Sequence, residues 1–223
     1  MHPAHTTAPT AMRATQALMA AACLACAATP AAASNLLVNG GFETPTVGYQ
    51  LVPGGNSSAI AGWTTVLSGV EHYNSPAYGV GPAADGVMAV DLANYVYSAG
   101  GIEQAVPTVA GQTYDVSFFA GNTTASGRTG TGIVKVTIDG ATTLDFNTPV
   151  ATSILTVWAQ RSFSFVATDS STTLRFWNNQ NANTYYALID GVGAQAAAVP
   201  EPQTWALMLA GLLATARMAR RRR

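Results

Sequence analysis

Two places in the chain set aromatic side chains beside amides, a combination suited to sugar recognition. Tyr95 and Tyr97 lie next to an asparagine, and Tyr185 and Tyr186 follow an amide-rich run that includes Asn179. Aromatic rings can lie against the apolar C–H faces of a sugar, and amides offer donors and acceptors to its hydroxyl groups. These residues predict carbohydrate recognition. The alternative interpretation is that the rings pack under loops and the asparagines serve turn geometry.

Trp177 is a further candidate for contact with a sugar ring. It has the opposite parity to Leu174 and Phe176, and successive side chains of a strand point to opposite faces of the sheet. We therefore expect Trp177 to face outward, and the same reasoning places Trp158 on an outer face. Trp63, in a Gly-Trp-Thr element, is predicted to be a core residue.

The residues between 34 and 198 lack the usual signatures of catalysis. His72 is the only histidine there, and the segment has no cysteine, no G-x-S-x-G elbow and no glycine-rich phosphate loop before a helix. Glu71, His72 and Tyr73 could support acid–base chemistry, but we expect His72 to lie at a strand edge in ordinary solvent contact. Paired carboxylates for glycoside hydrolysis depend on a separation in space that only a fold can supply. We predict that the protein is not an enzyme.

The elements that position these residues are predicted to be strands. Apolar and polar residues alternate with a period of two over residues 114–118, 134–138 and 162–165, which indicates strands buried on one face. Further strand-like runs occupy residues 86–92, 101–106, 172–177 and 185–192. Gly-, Asn-, Ser- and Thr-rich turns separate the runs, and no helical period occurs between the predicted signal peptide and Pro200. The predicted fold class is all-β, a two-sheet jelly-roll sandwich.

The charge of this segment differs from that of the whole chain. The chain has a net charge of −1, but residues 34–198 carry ten acidic and four basic side chains, a net charge of −6. A domain that is acidic and poor in basic residues is a poor partner for nucleic acid or anionic surfaces. Neutral glycans or cations are the better expectation.

The first 33 residues are predicted to be a secretory signal peptide. Arg13 precedes a small and apolar stretch over residues 14–28, and an A-x-A cleavage site precedes Ser34. Both cysteines of the chain, Cys23 and Cys26, lie in this segment. We therefore expect an exported domain over residues 34–198 that has no disulfide.

The last 25 residues have three parts in a fixed order. Pro200, Glu201 and Pro202 come first, an uncharged run follows, and the chain closes with an arginine cluster that includes Arg220 and Arg221. The prolines lack backbone donors and keep the Glu201 segment extended and accessible to a protease. Residues 203–216 supply 14 residues without charge, fewer than the roughly 20 of a full span. We predict a short transmembrane helix that acts as a provisional anchor; the alternative is an ordinary tail anchor.

This tail resembles the PEP-CTERM sorting signal of Gram-negative bacteria that make exopolysaccharide. The resemblance rests on Pro200, Glu201 and Pro202, the apolar run, and the arginines. It implies that an exosortase, a membrane transpeptidase, removes the helix and arginines during export. The inner membrane would be a transient partner, and the processed protein would reach the cell surface or the extracellular matrix.

The domain itself resembles the galactose-binding-like jelly rolls, and in particular the secreted choice-of-anchor domains of bacteria. The resemblance is carried by the order of five motifs, at residues 35–45, 62–64, 85–92, 111–114 and 187–192. Folds of this type are best known as carbohydrate-binding modules, so the resemblance implies glycan binding. It also implies one structural calcium, held by Glu43 and Asp190 where the first and last strands meet. Two carboxylates with backbone carbonyls form an adequate calcium donor set.

Two functions follow from these patterns. The first is a module that binds extracellular polysaccharide at the cell surface or in the biofilm matrix. The second is a structural or adhesive matrix protein whose surface contacts other proteins without a glycan site.

Overall fold

The computed structural model describes residues 34–94, 98–198 and 202–221. The predicted signal peptide, Tyr95 and Tyr97, and Pro200 and Glu201 lie outside the described residues.

Two antiparallel sheets form the domain, and each has six strands. In spatial order the first sheet contains β1 (Tyr49–Pro53), β3 (Gly69–Asn74), β4 (Met88–Asp91), β14 (Leu188–Ala196), β7 (Thr113–Asn122) and β11 (Val157–Val166). The second contains β10 (Thr142–Asn147), β9 (Ile133–Ile138), β12 (Ser171–Asn178), β6 (Ser98–Pro107) and β2 (Thr64–Leu67), with β5 (Ala93–Asn94) paired to β6. The two sheets form a jelly-roll sandwich, so the predicted all-β fold class is confirmed.

Three smaller elements complete the described chain. Strands β8 (Gly130–Thr131) and β13 (Tyr185–Tyr186) pair in parallel. A short 3-10 turn spans Ala125–Gly127, between β7 and β8. The single helix of the described residues, α1, spans Pro202–Arg220.

The main core lies between the two sheets and follows the predicted alternation. In β7 the buried side chains are Tyr114, Val116, Phe118 and Ala120, at every second position. Phe118 and Phe176 of β12 meet edge to face, with ring centroids 5.3 Å apart. Burying side chains of this size stabilises the fold by about 1.5–3 kcal/mol each.

Trp63 is buried in this core, as predicted, with 1% of its surface exposed. Its indole Nε1 donates to the carbonyl oxygen of Asn39 at 2.9 Å, so the polar atom of the ring is paired. The ring also meets Phe176 edge to face at 6.2 Å.

His72 is completely buried, and the prediction of a solvent-exposed histidine at a strand edge is wrong. Strand β3 lies between β1 and β4, so it is not an edge strand, and His72 points to the core side of it. Its Nε2 donates to the carbonyl oxygen of Phe42 at 2.9 Å, and its Nδ1 accepts from Nε2 of Gln50 at 2.8 Å. Burial lowers the pKa of His72. A neutral imidazole with both nitrogens hydrogen-bonded is typical of a structural residue, so we assign His72 a structural role.

Helix α1 has 19 residues, and the side chains of residues 208–217 are exposed. Among residues 34–94, 98–198 and 202–221, no helix is both long and apolar enough to cross a bilayer. The predicted transmembrane helix is therefore not found, because the uncharged run stops at Ala216 and the last turn carries Arg217 and Arg220.

Candidate ligand-binding site

Strand pairing aligns six residues in one row across the first sheet. From β1 to β11 the row consists of Leu51, Glu71, Asp91, Leu188, Gly121 and Trp158. Alternation places these side chains on the outer face, because neighbours such as Val70 and Val90 are buried in the core between the sheets. A second row beside it contains Tyr49, Tyr73 and Ala89.

Loops cover part of this outer face and enclose a second, smaller apolar cluster. Its buried members are Tyr73, Val80, Ala89, Tyr186 and Leu188, and Ala125 and Trp158 pack against them. The loop after β3 is tied to the segment before β11 by a hydrogen bond from the Thr156 amide to the Val80 carbonyl at 2.7 Å. The loop after β7 is held by the Thr123 hydroxyl, which donates to the Ile154 carbonyl.

Between these loops the sheet leaves a cavity of about 80 Å³. It is lined by Tyr49, Glu71, Tyr73, Tyr78, Val80, Asp91, Thr123, Ala125, Ser126, Arg128 and Tyr186. A polar cavity of this volume exceeds the space that one water requires. We call it the tyrosine pocket.

Three tyrosines form one wall of the tyrosine pocket. The rings of Tyr49 and Tyr78 stack with centroids 5.4 Å apart and planes inclined by 20°. Tyr73 meets Tyr78 at 5.7 Å with a 55° inclination. Tyr49 and Tyr78 are 38% and 54% exposed, whereas Tyr73 is buried. The rings of Tyr49 and Tyr78 are therefore accessible from solvent, and the buried ring of Tyr73 packs against that of Tyr78.

Charged side chains lie at the base of the tyrosine pocket. Nη1 of Arg128 lies 3.2 Å from Oδ2 of Asp91, and both side chains are almost fully buried. The guanidinium also covers the Tyr186 ring, with Cζ 4.0 Å from its centroid. The other carboxylate oxygen of Asp91, Oδ1, has no hydrogen-bond partner among the described residues. Glu71 lies beside Asp91 in the neighbouring strand.

The surroundings of these carboxyl groups disfavour their charged forms. Burial, reinforced by the nearby Glu71, raises the pKa of Asp91 to about 8, although Arg128 acts in the opposite direction. Burial also raises the pKa of Glu71, against a lowering effect of Arg128. Desolvation and an adjacent like charge both favour the protonated acid. Both acids therefore keep their protons to a higher pH than exposed carboxyl groups do.

Two family comparisons place the chain. The model of the family described as "Protein of unknown function (DUF642)" matches residues 35–194. The chain belongs to the DUF642 family. The PEP-CTERM protein-sorting motif matches residues 198–223, so the predicted sorting signal is confirmed. That motif implies export, processing by an exosortase and transient anchoring in the membrane before cleavage.

Solved structures similar to the DUF642 domain were also found. One is TmCBM61 in complex with β-1,4-galactotriose, at 18% identity and a TM-score of 0.46, covering 74% of this chain and 99% of that chain. Another is the CBM22-1 xylan-binding domain from Paenibacillus barcinonensis Xyn10C, at 12% identity and a TM-score of 0.45, covering 67% and 99%. The arabinose-bound MgGH51 α-L-arabinofuranosidase matches at 14% identity and a TM-score of 0.47, and the match covers 73% of this chain and 26% of that chain. No curated protein matches the sequence.

Of the predicted ligand-binding residues, Tyr186 lines the tyrosine pocket. Tyr185 points elsewhere, because its ring lies against Gly130, where an added Cβ would meet ring carbons at 2.2 Å. Asn179 is exposed in the loop after β12. The predicted Tyr185–Tyr186 cluster is therefore divided between two environments, and the roles assigned to these residues stay predictions.

Trp177 lies on the second sheet, away from the strands that build the tyrosine pocket. It is half-buried on the outer face, where its Nε1 donates to the hydroxyl of Thr137 at 2.9 Å. Nζ of Lys135 lies 5.6 Å from the centre of its ring. Trp177 and Tyr186 therefore cannot share one small ligand, and the sugar contact predicted for Trp177 stays a separate prediction.

Sequence reasoning missed most of the tyrosine pocket. Glu71 and Tyr73 were considered only for acid–base chemistry beside His72. No ligand-binding role was predicted for Tyr49, Tyr78 or Arg128. A weak signal was present, because residues 49, 71, 73 and 91 share one parity within three strands. Recognising it required the pairing of β1, β3 and β4, which involves turns that the sequence does not specify.

Glu43 and Asp190, the predicted calcium ligands, both accept backbone hydrogen bonds. Oε1 of Glu43 accepts from the amides of Val87 and Met88 at 2.8 and 2.7 Å. Oδ2 of Asp190 accepts from the amides of residues 84 and 85 at 2.8 Å, and Oδ1 accepts from that of residue 191 at 2.6 Å.

These hydrogen bonds occupy carboxylate oxygens that the resemblance assigns to calcium. N–H groups that point at carboxylate oxygens present positive dipole ends, and calcium needs six to eight oxygen ligands. No cluster of three or more metal-ligating side chains occurs in residues 34–94, 98–198 and 202–221. Glu43 and Asp190 instead hold the segment before β4 against β14, and calcium binding there stays a prediction from the resemblance alone.

Proposed function

We propose that the DUF642 domain binds carbohydrate in the tyrosine pocket. The observation that supports this most directly is the pair of exposed, stacked rings of Tyr49 and Tyr78 beside the carboxyl groups of Glu71 and Asp91. Concave sites that combine aromatic surface with a few converging polar groups are typical of small-ligand binding.

The chemistry of the pocket matches a sugar in two ways. The tyrosine rings offer flat apolar surface to the C–H face of a pyranose. Carboxylate oxygens accept hydrogen bonds from hydroxyl groups, and such charge-assisted bonds are stronger than neutral ones. The strands and the Arg128–Asp91 pair hold Tyr49, Glu71 and Asp91 in place before a ligand binds, so these residues need little ordering on binding.

Export places such a module where polysaccharide is available. The PEP-CTERM motif implies that the working protein lies beyond the inner membrane. We infer that its partner is extracellular polysaccharide, at the surface or in the extracellular matrix of a Gram-negative cell. The acidic character of residues 34–198 supports a neutral or cationic glycan in preference to an anionic one.

One observation favours the second candidate, adhesion to other proteins. Val150, Ile154, Leu155 and Val157 lie close together in sequence and are 40–73% exposed. Exposed apolar patches often mark protein contacts. This candidate predicts self-association or partner capture that sugars do not change.

Affinity electrophoresis and a glycan array test the carbohydrate proposal. Tyr78→Ala removes an exposed ring and is expected to weaken binding about tenfold or more, a typical effect for a central aromatic contact. Trp177→Ala, on the second sheet, is the comparison variant and is expected to leave binding unchanged. Loss of binding in Trp177→Ala but not in Tyr78→Ala would move the site to the second sheet. If no polysaccharide in the gel changes the electrophoretic mobility of the protein, carbohydrate binding is refuted.

A further inference from the structure

We propose that the tyrosine pocket selects a sugar unit that carries a free ammonium group, an amino sugar whose nitrogen is not acylated. This inference rests on the proposed carbohydrate function and names the ligand class. It follows from charge, from one unpaired oxygen and from the aromatic wall.

The charges that face the pocket do not balance. Glu71 from β3 and Asp91 from β4 are both acidic, and Arg128 from the loop after β7 is the one basic side chain that lines the cavity in the described part of the chain. The guanidinium is already engaged by Oδ2 of Asp91 and by the face of the Tyr186 ring. When both acids are ionised, two carboxylates face one guanidinium, so a cation in the pocket would meet a net negative charge, with the half-buried Glu71 beside it.

Asp91 provides the second, independent observation. The residue is 1% exposed, and its Oδ1 has no hydrogen-bond partner among the described residues. Ionising a buried carboxyl group whose oxygen lacks a donor is costly, so the charged form of Asp91 needs compensation from nearby. An ammonium group above the base of the cavity would stabilise the charge of Asp91 electrostatically. It would also donate a hydrogen bond directly to Glu71.

The aromatic wall favours the same ligand. The faces of tyrosine rings attract cations electrostatically, and the attraction grows when the cation is desolvated. The Tyr186 face is taken by Arg128, whereas Tyr49 and Tyr78 are the exposed rings. An amino sugar would place its ring carbons against these tyrosines and its nitrogen towards Glu71.

Titration of the pocket is consistent with this assignment. Burial raises the pKa of Asp91 to about 8 and also raises that of Glu71. An opposite charge nearby favours the ionised carboxyl, so an ammonium ligand would lower both pKa values. Binding of the amine is therefore expected to release protons from the protein.

A metal ion is a weaker occupant for the same space. Hard cations require six or more oxygen ligands. The base of the pocket presents two carboxyl groups, those of Glu71 and Asp91, together with the positively charged guanidinium of Arg128. No cluster of three or more metal-ligating side chains exists within the described residues.

The test compares two oligosaccharides of equal length with the full-length chain. A glucosamine pentamer carries free amines, and an N-acetylglucosamine pentamer carries none. Titration calorimetry is expected to show about tenfold or greater preference for the glucosamine pentamer, as for a hydrogen bond to a charged group. The preference should shrink as salt is raised, and calorimetry in buffers of different ionisation enthalpy should detect proton release.

Glu71→Gln keeps the size of the side chain and removes its charge, so the preference should fall below about threefold. Asp145→Asn is the matched control, because it removes an exposed acidic charge on the second sheet, where Asp145 pairs with Lys135. It should keep the full preference. Melting temperatures of both variants show whether they fold, and the salt and proton measurements use the unmodified protein.

The outcomes separate this inference from the function on which it rests. Equal affinity for the two pentamers, or a preference that survives Glu71→Gln, overturns the amino-sugar assignment. If a neutral glycan then binds and Tyr78→Ala abolishes that binding, the carbohydrate function stands. If neither pentamer nor any neutral glycan binds, both proposals fail.

Discussion

Glu71 of β3 and Asp91 of β4 are directly paired across two neighbouring strands, and both line the same cavity on the outer face of the first sheet. Like charges opposite each other destabilise a sheet. The pair is tolerated because Arg128 bonds to Asp91 and because burial favours the protonated form of both acids. Carboxyl groups with pKa values shifted in this way are common at binding sites.

Arg128→Ala should destabilise the protein more at high pH than at low pH. Without the guanidinium, Asp91 must remain protonated or stay charged without a partner. Removing one partner of a buried ion pair costs about 3–5 kcal/mol when the other remains charged. The loss in free energy of unfolding, measured by urea at about pH 6 and about pH 9, should approach this range only at the higher pH, where Asp91 ionises.

Arg161→Ala is the control, because Arg161 bonds a backbone carbonyl, that of Asn147, at the surface. Its effect should be small and equal at the two pH values. An equally large loss at both pH values in Arg128→Ala would contradict the role given to Asp91.

The unmodified protein should lose stability as pH rises from about 4 to about 8. Burial raises the pKa of Asp91 to about 8 and that of Asp190 to about 7. Between the ordinary carboxyl pKa of about 4 and these values, the folded state binds more protons than the unfolded state. The free energy of unfolding therefore decreases through this window.

His72 acts in the opposite direction at lower pH. Its pKa is lowered in the folded state, so at this residue the unfolded state binds more protons below about 6.5 and its contribution to stability falls as pH decreases there. Because two raised carboxyl pKa values outweigh one lowered histidine pKa, melting temperatures are still expected to fall as pH rises, but less steeply below about pH 6.5 than just above it. Asp91→Asn should flatten the decline at high pH, and a decline unchanged by it would show that Asp91 is not the titrating group.

Gly121→Ala tests the contact between Gly121 and the ring of Trp158, its partner in the neighbouring strand of the first sheet. A Cβ at Gly121 would lie 2.4–2.9 Å from ring carbons of Trp158, so the indole must move. Overpacking of this kind costs about 1–3 kcal/mol, and tryptophan fluorescence should shift as the indole becomes exposed. Gly48→Ala is the control, since nothing lies within 4 Å of its added Cβ. Equal stability of the two variants would refute the stacking of Trp158 on Gly121.

Asp190 should stabilise the protein without calcium. Three backbone N–H groups point at the two carboxylate oxygens of Asp190, and Asp190→Asn replaces one of these oxygens with an NH₂ that cannot accept. We therefore expect a loss of about 1–3 kcal/mol in the free energy of unfolding. Melting temperatures in EDTA and in calcium chloride should be the same. A calcium-dependent rise that disappears in Asp190→Asn would instead establish the metal site that the resemblance implies.

The sorting motif predicts a shortened C-terminus in the exported protein. Mass spectrometry of the native secreted form should show that helix α1 and the arginines after it are removed. The same protein from a strain that lacks the exosortase should retain them. A C-terminus at Arg223 in both strains would contradict processing at this motif.

The strand pattern and the core were predictable because each depends on local alternation. Phe118, Phe176 and Trp63 are buried where their parity or motif placed them. His72 was not predictable in the same way, because its environment depends on β3 lying inside a sheet and on partners, Phe42 and Gln50, that are distant in sequence.

The class of fold, the sorting motif and the acidity of the segment between the two ends can all be predicted from the order of the residues. These depend on periodicity, on residue order and on composition, all of which are local or additive properties. The composition of the tyrosine pocket depends on the three-dimensional fold, which brings together Tyr49, Tyr78, Glu71, Asp91 and Arg128. The fold also places Trp177 on the other sheet. Strand order and register arise from long-range pairing and core packing, and a shift of one residue in register would turn the pocket residues of β1, β3 and β4 to the opposite face of the sheet.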